Sequence, residues 1–250
     1  MDNRTIETAD PILVLEDVLA GYGGLTVLNG TSLQAARGAI TTIIGPNGAG
    51  KSTVFKTVFG LLRAQAGRIV FDGREITNLA PRRLLELGIS YVPQGRNIFP
   101  ELSVRHNLEL GATAAAGRID VAARIESVMD RFPMLRERAG AQASTLSGGQ
   151  QKLLEIARSL LLDPKLMLVD EPSIGLSPRL VQEFFAILQD LRSAGMTILM
   201  VEQNAKSALE ISDFGIVIEL GRTRMAGEAR AILADPKVGQ LFLGGALQAG

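Results

Sequence analysis

GPNGAGKST, residues 45–53, matches the spacing G-x-x-x-x-G-K-[ST], in which a short backbone loop wraps round a chain of phosphates. Gly45, Gly48 and Gly50 free the loop to aim successive N–H groups at an anion, and the helix it opens adds its positive end. Asn47, Ala49 and Thr53 belong to the same cradle. Lys51 is placed to reach the β- and γ-phosphates, and the Ser52 hydroxyl to hold Mg²⁺. A glycine turn that merely reverses the chain is the competing reading. It is disfavoured because the apolar run AITTII precedes the motif and an amphipathic stretch follows it.

Two further strand-like runs end in chemistry. KLMLVDEP, residues 165–172, brings four apolar residues and then two carboxylates, so that Asp170 joins the magnesium shell while Glu171 orients and deprotonates a water aimed at the γ-phosphate. TILMVEQNAK, residues 197–206, stops abruptly at Glu202, Gln203 and Asn204, and ligands of open α/β sheets gather beyond such strand ends. Gln203 is therefore expected either at a phosphate or as a cap on the helix starting near Asn204.

LSGGQ, residues 146–150, starts another helix, with Ser147 suited to capping it and Gly148 and Gly149 leaving its first N–H groups open. Because Lys51 already equips one phosphate site, a second anion-binding helix start next to Gln150 points to a phosphate supplied by another subunit.

The elements that must position these residues are apolar runs at 12–18, 39–45, 165–171, 197–203 and 214–221, read as strands, with amphipathic stretches at 51–62, 151–162 and 178–195, read as helices. Their alternation predicts a parallel sheet with crossover helices. Between about 95 and 162 there are helical patterns and no convincing strand, which predicts a helical subdomain inserted in a sheet core of about 11–94 and 163–245. The first ten residues and the end LGGALQAG are expected to fray.

Composition narrows the chemistry. The 250 residues carry 26 Lys and Arg against 26 Asp and Glu, so no long-range field favours nucleic acid. With no cysteine and only His106 as histidine, thiolate catalysis, a His-based triad and a Cys- or His-ligated metal cluster are disfavoured. No signal peptide or run of 18 apolar residues is visible, and a cytosolic chain is expected.

GPNGAGKST, LSGGQ and LMLVDEP, in this order and spacing, resemble the ATP-binding subunits of ABC transporters over nearly the whole chain, about 11–245. The resemblance implies an α/β, P-loop NTPase sheet domain of the ABC ATPase type with an inserted α-helical subdomain, using ATP and Mg²⁺. It implies two ATPase subunits, a homodimer or a pair of related paralogues, packed head to tail, with each nucleotide between one Lys51 and the other subunit's Ser147–Gln150. It further implies that Tyr22 stacks on adenine and that Gln94 touches the magnesium or attacking water while sensing an integral membrane permease. The permease is expected to dock near Gln94–Leu102, where Ile98, Phe99 and Leu102 line a groove or belong to the core. An extracytoplasmic solute-binding protein would then be an indirect partner, and the subunit would lie peripherally on the cytoplasmic face of the membrane.

DEPSIGLSP, MVEQNAKSALEISD, QGRNIFPELSV and LFLGG resemble the ATPases of branched-chain amino acid importers, or of their urea- and amide-transporting relatives. The family usually carries histidine where Gln203 stands, and often aspartate where Ser177 stands. A glutamine amide donates a hydrogen bond without charge, so Gln203 is expected to be a neutral phosphate sensor while Glu171 carries the water chemistry. These departures also allow an ATP-binding regulatory subunit with little turnover; the retained Glu171 speaks against it.

Overall fold

In the computed structural model, residues 10–115 and 120–242 are described. The chain opens with a long hairpin of β1 (Pro11–Tyr22) and β2 (Leu25–Ala36). Its turn is set by Gly23 and Gly24, both at positive φ, as the turns that match strand twist require. The parallel sheet predicted from ILVLEDV onward is corrected here. This run is β1, and it lies in a separate antiparallel sheet of order β2-β1-β4-β5, with β4 (Ala64–Phe71) and β5 (Arg74–Glu75). The reason is local: β1 alternates buried and less buried residues, the pattern of a strand with one covered face, rather than being buried throughout.

The second sheet has the order β10-β9-β3-β8-β7-β6. β3 (Ile40–Ile44), β6 (Ile89–Val92), β7 (Leu166–Asp170), β8 (Thr197–Val201) and β9 (Phe214–Glu219) run parallel, and β10 (Arg222–Glu228) returns antiparallel at the edge. The continuous apolar runs are explained by two covered faces. Leu166 and Leu168 of β7, with Leu199 and Val201 of β8, face the antiparallel sheet and the buried side chains of α1 (Lys51–Val58). Met167, Val169, Ile198 and Met200 face a second core formed with helices.

Those helices are α3 (Val104–Gly111), α4 (Val121–Arg131), α5 (Pro133–Glu137), α6 (Gly148–Leu160) and α7 (Pro178–Ser193). α2 (Pro81–Leu87) precedes β6, and α8 (Ala205–Glu210), α9 (Ala229–Ala234) and α10 (Pro236–Phe242) complete the described chain. Among the described residues no strand falls between Val92 and Leu166. The helix expected over 51–62 ends at Val58, because Gly60 takes a positive φ and packs against the Leu79 carbonyl. Residues 1–9 and 243–250, to which the expectation of fraying mainly applied, lie outside the described residues.

β2, β4, β5, β6 and β10 do not stand out as apolar runs. β4 and β10 carry exposed polar residues such as Arg68 and Arg224 and depend on pairing with β1 and β9.

Candidate nucleotide site

β3, β8 and β7 are neighbours in the parallel sheet, so the segments leaving their carboxyl ends converge. The ladder continues past the strands: Glu171 N–H donates to Val201 O at 2.9 Å, and Glu202 N–H to Ile43 O at 3.2 Å. The phosphate-type loop, the Asp170–Glu171 pair and Glu202–Gln203 are thereby held side by side.

In the loop, Gly48 and Gly50 adopt φ of 80° and 102°, conformations that favour glycine. At Gly45 a side chain would come within 2.3 Å of the Ile218 carbonyl oxygen. Asn47 is exposed, whereas Ala49 and Thr53 are buried. Lys51, in the first turn of α1, donates from Nζ to Gly45 O at 2.8 Å and to Pro46 O at 3.2 Å. Burial pushes its ammonium below the ordinary lysine range, and the charges of Glu171, Asp170 and Glu202 oppose that shift.

Asp170 is almost fully buried and accepts from Ser52 Oγ at 3.1 Å and from the Tyr91 hydroxyl at 3.0 Å. Burial raises its pKa, and these two hydrogen bonds pull the other way. Burial, followed by the nearby Asp170 charge, drives the Tyr91 phenol well above its usual range. Glu171 sits at φ 45°, a costly backbone conformation for a residue with a side chain, and its Oε2 accepts from Gln94 Nε2 at 3.0 Å.

Glu202 is also buried. Its carboxylate accepts from Ser173 N–H and Ser173 Oγ, both at 2.8 Å, from Gln203 N–H at 3.1 Å and from Asn204 N–H at 3.4 Å. Burial raises its pKa, opposed by these donors. It thus joins the loop after Glu171 to the loop carrying Gln203. Sequence reasoning assigned no role to Glu202, Tyr91 or Ser173. For Glu202 the signal was there, a carboxylate at a strand end beside Gln203; for the other two it was not.

Gln203 is exposed and lines a cavity of about 260 Å³ with Glu171, Ser173 and Ile174. It does not cap the helix that follows. Asn204 does, through its Oδ1 accepting from Ser207 N–H at 3.3 Å. Ser177 likewise caps α7, and the side chain of His106 is exposed, 4.0 Å from Glu109.

Ser147 caps α6 with a reciprocal pair of bonds. Its Oγ accepts from Gln150 N–H at 3.3 Å, and Gln150 Oε1 accepts from Ser147 N–H at 3.0 Å. Gly148 is open, whereas a side chain at Gly149 would lie 2.6 Å from Leu180 Cδ2, so the Leu180 side chain of α7 would have to shift to admit it. Among the described residues, no hydrogen bond or ion pair joins Ser147–Gln150 to the Gly45–Thr53 loop. Tyr22 is 45% exposed at the end of β1, with Lys56 Nζ of α1 5.8 Å from its ring centroid.

The family model for ABC transporters matches residues 28–174. The chain is 40% identical over 234 residues to the high-affinity branched-chain amino acid transport ATP-binding protein BraG of Pseudomonas aeruginosa, covering 94% of this chain and 100% of that protein. The chain belongs to the ABC transporter family. A probable branched-chain amino acid transport ATP-binding protein, LivF of Archaeoglobus fulgidus, is 38% identical, covering 90% of this chain and 95% of its own length. The crystal structure of the ADP conformation of MJ1267, an ATP-binding cassette of an ABC transporter, superposes with a TM-score of 0.84 at 31% identity, covering 94% of this chain and 99% of that one.

The chain is an ABC ATPase, and oxygen-bearing groups stand together beyond β7: the Ser52 hydroxyl 3.1 Å from Asp170, and the Gln94 amide 3.0 Å from Glu171. That donor chemistry fits Mg²⁺, which keeps few protein ligands and shares the rest with phosphate and water. Among the described residues, no group of three or more His, Cys, Asp and Glu side chains forms a metal cage, and no helix is long and apolar enough to cross a membrane.

Proposed function

We propose that this subunit binds ATP with Mg²⁺ between two head-to-tail ATPase subunits and hydrolyses it to energise an importer, with branched-chain amino acids as the solute class. The carrying observation is the convergence of Lys51, Ser52, Asp170, Glu171 and Gln94 beyond the carboxyl ends of the central parallel strands, while among the described residues no hydrogen bond or ion pair joins Ser147–Gln150 to the Gly45–Thr53 loop of the same chain. Its nearly full-length likeness to BraG supports the solute class. One domain over about 11–245 is the division we adopt, its helical subdomain running from about 95 to 162.

Each residue then has a task. Lys51 exchanges its loop carbonyls for the β- and γ-phosphates, and the loop N–H groups of residues 45–53 line the phosphate chain. Ser52, Asp170 and Gln94 would hold Mg²⁺, which would supply positive charge to the phosphates. Glu171 orients the attacking water and accepts its proton, and the Gln203 amide donates to the γ-phosphate. Tyr22 offers its exposed ring to adenine. From the partner subunit, Ser147, Gly148, Gly149 and Gln150 close the site, offering the Gly148 and Gly149 N–H groups that the capping bonds of Ser147 and Gln150 do not use.

The permease contact follows from a groove of about 310 Å³ beside Gln94, lined by Phe59, Leu85, Tyr91, Val92 and Pro93. Ile98 packs partly into the helical core, whereas Phe99 is 47% exposed, so the groove lies to one side of the Ile98–Leu102 stretch expected to line it. A short amphipathic helix of a membrane permease suits such a groove.

The head-to-tail pairing is tested by mixing. Lys51→Ala and Ser147→Arg chains should each be inactive, while an equimolar mixture regains turnover, because a mixed dimer holds one site built from two unaltered halves. A mixture as inactive as its components sinks the pairing; the mass of the ATP-induced species separates a homodimer from a pair with a related ATPase. For Gln203, the alanine variant should lose about 10-fold in kcat and the histidine variant should retain or exceed wild-type turnover, since a donor at that position serves transition-state charge. An unchanged rate for Gln203→Ala removes the residue from the mechanism.

A further inference from the structure

Residues 94–97 link β6 to the segment before α3, and one face of α6 satisfies their backbone. Lys152 Nζ donates to Gly95 O at 3.1 Å, Glu155 Oε1 accepts from Asn97 N–H at 2.5 Å, and the Arg158 guanidinium donates to Asn97 O. The three side chains are spaced three apart, so they project from one side of the helix. Lys152 and Glu155 also pair at 2.8 Å, with only 8% and 4% of their side chains exposed.

A buried ion pair is weak evidence for stability, since apolar residues of similar volume commonly serve as well or better. What this pair adds is geometry. It offers a cationic donor and an anionic acceptor to two backbone groups of a loop that lacks secondary structure of its own. The same helix starts at Ser147–Gln150, and the same loop reaches the sheet through Gln94, whose Nε2 lies 3.0 Å from Glu171 Oε2.

We infer that Lys152 and Glu155 are positioning residues for hydrolysis: they lock the Gln94 loop to the helix carrying Ser147–Gln150, so that any movement of that helix shifts Gln94 relative to Glu171. This rests on the reading that Gln94 and Glu171 act in hydrolysis.

Hydrogen exchange and kinetics on the full chain test the lock. In the wild-type protein the Asn97 amide should exchange at least about 100-fold more slowly than a free peptide amide. In a Lys152→Met/Glu155→Leu double variant, that protection should fall about 10-fold or more. The same variant should lose about 10-fold in kcat with KM for ATP within about twofold of wild type, because positioning rather than binding is lost. Its Tm should stay near or above that of wild type.

Lys152→Arg keeps the donor and the charge and should keep both turnover and Asn97 protection, which covers the case of a double variant that does not fold. Free exchange at Asn97 in the wild type, loss of turnover in a folded Lys152→Arg chain, or wild-type kcat in the double variant overturns the inference. If Glu171→Gln is inactive while the double variant turns over normally, the lock alone fails. If Glu171→Gln keeps wild-type turnover, the underlying reading of the site fails.

Discussion

Glu171→Gln should lower kcat by about 10²–10⁴-fold while leaving ATP affinity within a few-fold of wild type, the signature of losing a general base rather than a binding group. Glutamine preserves the volume of the side chain, and its amide oxygen still accepts the hydrogen bond from Gln94 that Glu171 Oε2 accepts at 3.0 Å. It also faces the same backbone cost at φ 45°, so the substitution tests chemistry rather than folding. What it cannot do is take a proton from water. Because Lys51, Ser52 and Asp170 remain, nucleotide should still bind, and the variant should accumulate in the ATP-associated dimer. Phosphate release at saturating ATP, alongside equilibrium nucleotide binding, is the measurement. A variant within about threefold of the wild-type kcat removes Glu171 as base.

Gly221→Ala should destabilise the protein by about 3–5 kcal/mol, at the upper end for a single added methyl group. Gly221 sits in the β9–β10 turn at φ 70°, and a Cβ there would lie 1.8 Å from the Val27 carbonyl oxygen of β2. The neighbouring backbone has little room to yield. Gly221 N–H donates to Ala49 O at 2.9 Å, and Gly221 O accepts from Asn29 N–H at 2.8 Å and Thr31 Oγ1 at 2.7 Å. The turn therefore joins the two sheets directly behind the phosphate loop, and displacing it pulls on Ala49. For a chain of this size the loss corresponds to a Tm lowered by roughly 6–20 °C. Gly227→Ala is the control: φ is not positive there and an added Cβ meets nothing within 4 Å, so its Tm should move by no more than about 3 °C. Equal Tm values for the two variants would mean that the turn yields without cost.

Local chemistry was legible from sequence wherever a short motif carried its own context. GPNGAGKST declared a phosphate loop because an apolar strand run precedes it and a helical pattern follows, and β3 and α1 stand on either side of it. The runs ending at Asp170 and Gln203 read as strands for the same reason, being buried on both faces. ILVLEDV misled, because a run with one covered face resembles a short buried strand when its partners are unseen, and β4 and β10 carry too many polar residues to declare themselves without those partners.

By itself, then, the sequence determined the family, the phosphate loop, the acidic strand end and the helix start at Ser147, since each is written in consecutive residues. Only the tertiary structure decided which strands are neighbours, and hence that Asp170, Glu171 and Glu202 come near Lys51 beyond the strand ends, with Gln203 sharing a cavity with Glu171. It alone revealed Glu202 joining two loops, Gly221 supporting the phosphate loop from behind, and Lys152 with Glu155 holding the Gln94 loop. The physical reason is common to all three. Each is a contact between a side chain or turn and backbone groups far away in the chain, and strand order and burial, which residue types and local spacing do not encode, bring such groups together.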